Sequence, residues 1–436
     1  MLHYTQTGVG NQSVTRPGFI RLSAAVFSTL AGIGSSILIA RTLGPNAFGI
    51  YTFVLWLATV FVPIIGVGMS TVTNRSIAEI QHQQEPHMAA GIFRFVWRCQ
   101  SHSMFVYCGI YLLLVVPVSW WFGGSAPVLA VLLAGVGALP LLLSGIVGVT
   151  LRGLQRFDLL ATIHLFSAVA GLFLITLAAQ VPVTPGGQSA QIGLFLLASA
   201  LAGTFSLAVG VICVMRLLPV RDATKPNGLV VDRLTRGLSN SVPLFLLDGI
   251  VWQRSEVLLL GHWQSTAQLG FYSLSAIISA HLMEFSPVAL STCMLPLVSR
   301  AIPHWRYTSA ADAFVKTSLS ITLLALPVCI LTIVFCPAAV VLCFGTAYLP
   351  MVLPLRLLTV SATIGSIATV SLTHLANDTG RRAQMRLGVV AATLNVLLAV
   401  PCIVLWGITG AALASMIAQI VSAIGSMLIC WKLIFG

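Results

Sequence analysis

The sequence predicts an all-α, polytopic membrane protein of about twelve transmembrane helices. Three observations predict it. First, of 436 residues, 58% are hydrophobic and only 7% are charged, against about 25% charged in a typical soluble domain. Such a chain cannot cover itself with polar surface in water, so lipid is its solvent. Second, the apolar residues come in runs of roughly 20, the length a bilayer core demands. Third, the basic residues crowd into every other connection between these runs, as the positive-inside rule requires.

The runs fall at about 18–41, 47–72, 94–120, 126–150, 158–180, 190–217, 239–260, 269–297, 312–338, 351–375, 386–407 and 410–432. In hydrocarbon every backbone N–H and C=O must be paired within the protein, so runs of this length are helices. Short alternating segments, the mark of a membrane barrel, are absent from the sequence. The first run is longer than a signal-peptide core and lacks a cleavage site, so it reads as a retained helix.

Connections rich in charge hold Arg75 and Arg94; Arg152 and Arg156; Arg221, Lys225, Arg233 and Arg236; Arg300, Arg306 and Lys316; Arg381, Arg382 and Arg386. Arg16 and Lys432 place both ends of the chain on that same side, expected to be cytoplasmic. The other connections, 123–125, 181–191, 263–268, 345–349 and 407–410, are nearly uncharged, with only Arg41 and Arg356 nearby. The net charge of +12 is therefore read as topogenic rather than as a nucleic-acid surface, because the cations form no stripe. The nine cysteines contain no C-x-x-C and read as small packing residues, with no metal set.

The most polar internal connection, around Arg221–Arg236, divides the chain into an expected N-terminal lobe (1–220), a cytoplasmic linker (221–238) and a C-terminal lobe (239–436). A short repeat spans it. Ile37-Leu38-Ile39 leads to Gly49-Ile50-Tyr51, and Leu258-Leu259-Leu260 leads without a gap to Gly270-Phe271-Tyr272. The copies start on the same side, so the lobes are expected to be parallel repeats about an axis along the membrane normal.

Ionisable groups deep in a bilayer are costly and are candidates for function. The seventh run carries Asp248, Arg254 and Glu256. Asp248 and Glu256 share a helix face that Arg254 avoids, so Arg254 must pair with another helix or face a wet cavity. His281 and Glu284 are neighbours on the eighth run. Arg21 lies one turn inside the first. Each has a plainer alternative: Arg21 can snorkel to the interface, and Arg254 can form a purely structural pair with Glu284 or Asp248. His164 reads as a packing residue. Enzyme signatures are missing: the chain has no HExxH, GxSxG, GxxxxGK[ST] or DxD pattern, and its outer loops are too short to grasp a substrate. With no nucleotide loop, drive would come from an ion or substrate gradient.

Residues 37–78, ILIARTLGPNAFGIYTFVLWLATVFVPIIGVGMSTVTNRSIA, resemble the first hairpin of Wzx-type lipid-linked oligosaccharide flippases, the polysaccharide transporter branch of the multidrug/oligosaccharidyl-lipid/polysaccharide superfamily. LRGLQRF at 151–157, the segment from Trp252 to Ser275 and LTHLANDTGRRAQMRL at 372–387 are similar to that family in order and spacing. The resemblance implies two pseudo-symmetric six-helix lobes around a central cavity. It implies an undecaprenyl-pyrophosphate-linked oligosaccharide carried from the cytoplasmic to the periplasmic leaflet of the bacterial inner membrane, with no cofactor beyond a coupling H+ or Na+. Arg254, Arg21 and His281 are then the substrate-binding candidates. Glu284, Asp248 and Glu256 are the candidates for ion coupling. Contact with polysaccharide polymerase machinery is a further implication. The alternatives are a cation-coupled multidrug antiporter of the same superfamily, whose members also have twelve spans, and a membrane-embedded polymerase or transferase. The lipid II branch usually has fourteen spans and fits less well.

Overall fold

The computed structural model describes residues 15–62, 70–82, 85–121, 128–182, 187–220, 222–224, 228, 231–232, 235, 256–289, 310–374 and 378–435. Among these residues there is no strand. The helices are α1 (Thr15–Thr59), α2 (Ser70–His82), α3 (Pro86–Trp121), α4 (Val128–Gly153), α5 (Phe157–Gln180), α6 (Gln188–Leu217), α7 (Glu256–Trp263), α8 (Thr266–Ala289), α9 (Ala310–Phe344), α10 (Val352–His374) and α11 (Asp378–Phe435). A 3-10 turn, Thr346–Met351, joins α9 to α10.

Seven of the described helical segments are long and apolar enough to cross a membrane. Two of them, Ser23–Thr59 and Arg382–Lys432, hold two expected spans each. The sequence-expected breaks at 41–47 and 407–410 are therefore single-residue bends. Gly44 (φ 71°) bends α1 and Gly407 (φ 57°) bends α11, a region of backbone space that side chains with a Cβ rarely enter. Pro45 follows the first bend and has no N–H to continue the helix ladder. In α11 the limbs run antiparallel. A Cβ on Gly410 would strike the Cys402 carbonyl, and one on Gly425 would strike Leu387, pairs that straddle the bend symmetrically. Of the expected seventh span, only Glu256 onward is described.

Several expected boundaries shift toward the charged end. Arg75 lies within α2 and Arg94 within α3, so the charged connection between the second and third expected spans is itself helical. α3 opens at Pro86, a good first helical residue, and runs for 36 residues. That is about 54 Å of helix against a hydrocarbon core of about 30 Å. Its first turns thus stand in the polar layer, where arginine costs little. Lys316 and Arg382 likewise sit inside α9 and α11.

The helices sort into two groups by packing. In the first, α4 packs with α6, α1 with α5 and α5 with α6, while α2 and α3 lean on α4. In the second, α10 packs with α11, α9 and α8, and α7 with α11. The contacts between groups run through α1, chiefly onto α8 and to a lesser degree onto α7 and α9. One buried apolar core runs through both groups, and a second lies in the first group at its charged end. Aromatic hydroxyls tie the first group internally: Tyr107 donates to the Ala58 carbonyl at 2.9 Å and Tyr111 to that of Val131 at 2.7 Å.

Candidate functional site

At the neutral end the two copies of the sequence repeat meet face to face. A Cβ on Gly49 would lie inside the Thr266 carbonyl and 3.1 Å from the Gly270 nitrogen. A Cβ on Gly270 would strike the Pro45 carbonyl and lie 3.1 Å from the Gly49 nitrogen. Pro45 and Thr266 occupy equivalent places in the repeat, as do the two glycines. The contact is thus reciprocal, as a twofold axis between the copies requires. Glycine is needed at both positions because the backbones touch.

Four hydrogen bonds between the groups surround this contact. Arg41, at the neutral end of α1's first limb, donates from Nε to the Cys343 carbonyl and from Nη2 to the Leu342 carbonyl. These are last-turn carbonyls of α9, which lack partners in their own helix and carry the negative end of its dipole. In return, Tyr348 donates its hydroxyl to the Ala40 carbonyl at 2.7 Å. Thr266 donates to Asn46 Oδ1 at 3.2 Å. Arg41 stood out in the sequence as a cation on the wrong side, and the structure supplies its reason: it caps a helix of the opposite group.

Of the six candidate site residues, the structure describes two side chains. Glu256 is fully buried (0% exposed) at the start of α7 and accepts a 2.8 Å hydrogen bond from Asn395 Nδ2 of α11. Asn395, also fully buried, is a residue that sequence reasoning missed, because a single asparagine in an apolar run gives no signal without its partner. His281 lies on α8, half-buried. A Cβ on Gly32 of α1 would come within 3.1 Å of its Nε2, so the ring packs across the seam between groups. Arg21 lies on α1 and Glu284 on α8, with side chains outside the described set. Asp248 and Arg254 lie outside the described residues altogether. A second polar chain links α10 to α11: Ser361 donates to Gln419 Oε1 at 2.6 Å, and Gln419 Nε2 donates to Ser415 at 3.3 Å.

Toward the charged end, the first group exposes side chains on a second face. α6 exposes one apolar stripe along its whole length, Leu197, Leu201, Phe205, Ile212 and Met215, as a lipid-facing helix should. α5 exposes such a stripe too, at Phe166, Val169, Phe173 and Leu177. In its charged half, however, α5 also exposes His164, which lies roughly 160° around the axis from Phe166. His164 is thus exposed rather than packed as the sequence suggested, and it lies on the face of α5 opposite Phe166. α4 changes face in the same way. Leu129, Leu132 and Val136 are exposed in its neutral half, and Leu141, Gly145 and Arg152 beyond Pro140.

The family model for "Polysaccharide biosynthesis protein" matches residues 38–353. No curated protein matches the chain. Among solved structures, the chain resembles an inward-facing multidrug resistance MATE transporter of the MOP superfamily at TM-score 0.63 and 14% identity, covering 96% of this chain and 98% of that one. It resembles the lipid II flippase MurJ in an inward closed conformation at TM-score 0.60 and 14% identity, over 94% and 87% of the two chains. A MOP superfamily transporter from Pyrococcus furiosus, described as having a binding pocket of reverse polarity, matches at TM-score 0.59 and 15% identity, over 97% and 95%. These likenesses show a shared fold.

Proposed function

Because the chain belongs to the polysaccharide biosynthesis protein family, we propose that it is a transporter flipping a lipid-linked oligosaccharide from the cytoplasmic to the periplasmic leaflet of the bacterial inner membrane. The observation that carries the reading is the reciprocal Gly49–Gly270 contact. Two repeat copies close one end of the molecule around a pseudo-twofold axis, and the same axis allows each group to rock as a body. The neutral end is then periplasmic and closed, the charged end cytoplasmic, and the groups are the two lobes, 1–220 and 239–436. The substrate is an undecaprenyl-pyrophosphate-linked sugar chain, whose head group cannot cross hydrocarbon unaided. Arg254, Arg21 and His281 bind it. The seam position of His281 against Gly32 supports its part in this.

Drive comes from a cation gradient, with Glu284, Asp248 and Glu256 as the carboxylates that take up H+ or Na+. For Glu256 the support is its burial against Asn395. A carboxylate buried in an apolar helix bundle is a candidate for function.

The test is deletion of the gene and analysis of lipid-linked repeat units. They should accumulate, and the wild-type chain should clear them, while Arg254→Ala inserts but does not. Normal export in the deletion strain would overturn the proposal. Topology is checked separately. A cysteine at Ser265 should label from outside intact cells and one at Asn227 should not; the reverse pattern would reverse the direction of transport.

A further inference from the structure

The charged half of the first group holds a second candidate binding surface, made of residues that play no part in the site above. α1 and α5 approach at Gly34, where a Cβ would meet Leu172 at 3.8 Å. Phe27 and Leu30, on the same face of α1 as Gly34, are 60% and 58% exposed. On the α5 side, Phe157 and His164 stand exposed. Arg152, at the end of α4, is exposed beside them. Its Nη2 and the Leu160 Cδ1 of α5 flank the same point above Gly148, and His164 is one turn further along α5. Exposed apolar side chains of α1 and α5 thus share the charged half of the first group with the Arg152 guanidinium.

Two features make Arg152 available to a ligand. Arg152 Nε donates to the Gly148 carbonyl of its own helix at 3.2 Å, which fixes the direction of the guanidinium fork. Among the described residues no carboxylate pairs with it, because the nearby Asp158 is held by Arg156 through two 3.2 Å hydrogen bonds. A planar fork with a free edge suits two phosphate oxygens. His164 adds a donor one turn deeper.

We propose that Arg152 and His164 form an anion-binding site for a pyrophosphate group, with Phe27, Leu30 and Phe157 receiving the apolar chain attached to it. This rests on the lipid-linked substrate proposed above, and assigns that substrate's first docking place on the cytoplasmic side. Arg152 falls in the LRGLQRF segment at 151–157, which charge patterning alone explained only as topogenic.

The test uses the full chain in lipid nanodiscs, titrated with inorganic pyrophosphate and, separately, with polyprenyl pyrophosphate supplied in the disc. R152Q should bind about tenfold more weakly, as loss of hydrogen bonds to a charged group implies. H164Q should be severalfold weaker, and R152K should fall between R152Q and wild type. Tight binding of the lipid form alone identifies a lipid head group as the ligand; equal binding of the inorganic ion identifies a free anion. Only the first result supports the site as proposed; equal binding would take Phe27, Leu30 and Phe157 out of it and overturn the docking place. Wild-type affinity in both R152Q and H164Q, or no binding of either probe to wild type, overturns it. Repeat-unit accumulation in the deletion strain is scored independently, so the site can fail while the transport function stands, and the reverse.

Discussion

The two ends of the first group are built on opposite principles. At the neutral end, glycine removes side chains so that backbones touch, and hydrogen bonds then run from side chains to helix-terminal carbonyls across the seam. At the charged end, side chains are kept and left uncovered: Phe27, Leu30, Arg152 and His164 are all exposed. The difference teaches where the molecule is committed and where it waits. A backbone contact between glycines is satisfied by the protein alone. An exposed arginine leaves donors that a ligand can take up. The transport cycle proposed above needs one end of each kind at any moment, and must exchange them.

The largest expected effect comes from filling the glycine contact. Gly49→Val would place a Cβ inside the Thr266 carbonyl, so the neutral ends of α1 and α8 must separate. Overpacking of this kind costs about 1–3 kcal/mol or more, enough to shift the closed state to a minority. Export should fall below detection, and a cysteine at Ser265 should label much faster with an impermeant maleimide. Gly270→Val should do the same by symmetry. Closure at unchanged labelling in either variant would break the comparison, since the end would be held by something other than backbone contact.

Next is Glu256. Replacement by leucine leaves the Asn395 amide buried without its 2.8 Å acceptor, at a cost of about 1–3 kcal/mol. Glu256→Gln is gentler, keeping an oxygen that can accept. If Glu256 takes up the coupling ion, the glutamine variant should transport slowly and ignore an imposed H+ or Na+ gradient in proteoliposomes. Gradient-sensitive transport at the native rate would reduce Glu256 to a tie between α7 and α11, and leave Glu284 and Asp248.

These contacts show how much the sequence could reveal. The helical class was legible because lipid allows few alternatives: runs of about 20 apolar residues must be helices. The repeat was legible as Gly49-Ile50-Tyr51 and Gly270-Phe271-Tyr272. That its two copies touch was not, because similarity within a chain carries no distance. The bends at Gly44 and Gly407 replaced expected loops, since one positive-φ residue can turn a chain that composition can only suggest is interrupted. His164 was misread for a related reason. Hydropathy shows that a helix lies in a membrane, but not which of its faces looks at lipid and which at water. Arg254, the strongest sequence candidate, and Asp248 on the same run lie outside the described residues.

Arg41 gives a smaller, sharper test. Its two bonds to α9 carbonyls are charge-assisted, but the side chain is exposed, so water screens them. Arg41→Gln should loosen the neutral end by about 1–2 kcal/mol, raising the labelling of a Ser265 cysteine while leaving export measurable. Arg41→Lys keeps the charge but loses the fork, and should lie between. A glutamine variant that labels like wild type would mean that Arg41 serves α9 alone.

Tyr348 should show the smallest effect. It sits on the 3-10 turn after Gly345, whose φ of 92° sets the chain's exit from α9. Its ring is fully buried, with ring centroids 5.7 Å from Phe271 and 5.8 Å from Phe344. Phenylalanine would keep those contacts and lose only the hydroxyl. The Ala40 carbonyl that accepts it at 2.7 Å lies four residues before the bend at Gly44, where the regular helix ladder fails. That bond ties the last turn before the bend to the opposite group. Tyr348→Phe should cost about 1 kcal/mol and raise Ser265-cysteine labelling no more than about fivefold. Tyr348→Ala should cost several times more, about 3 kcal/mol or above, because it also empties a ring-sized space. The gap between the two variants separates hydrogen bonding from packing at this end. If phenylalanine behaves like alanine, the hydroxyl is what holds the lobes together there. If it behaves like wild type, packing of Phe271, Phe344 and the two glycines closes the neutral end without it.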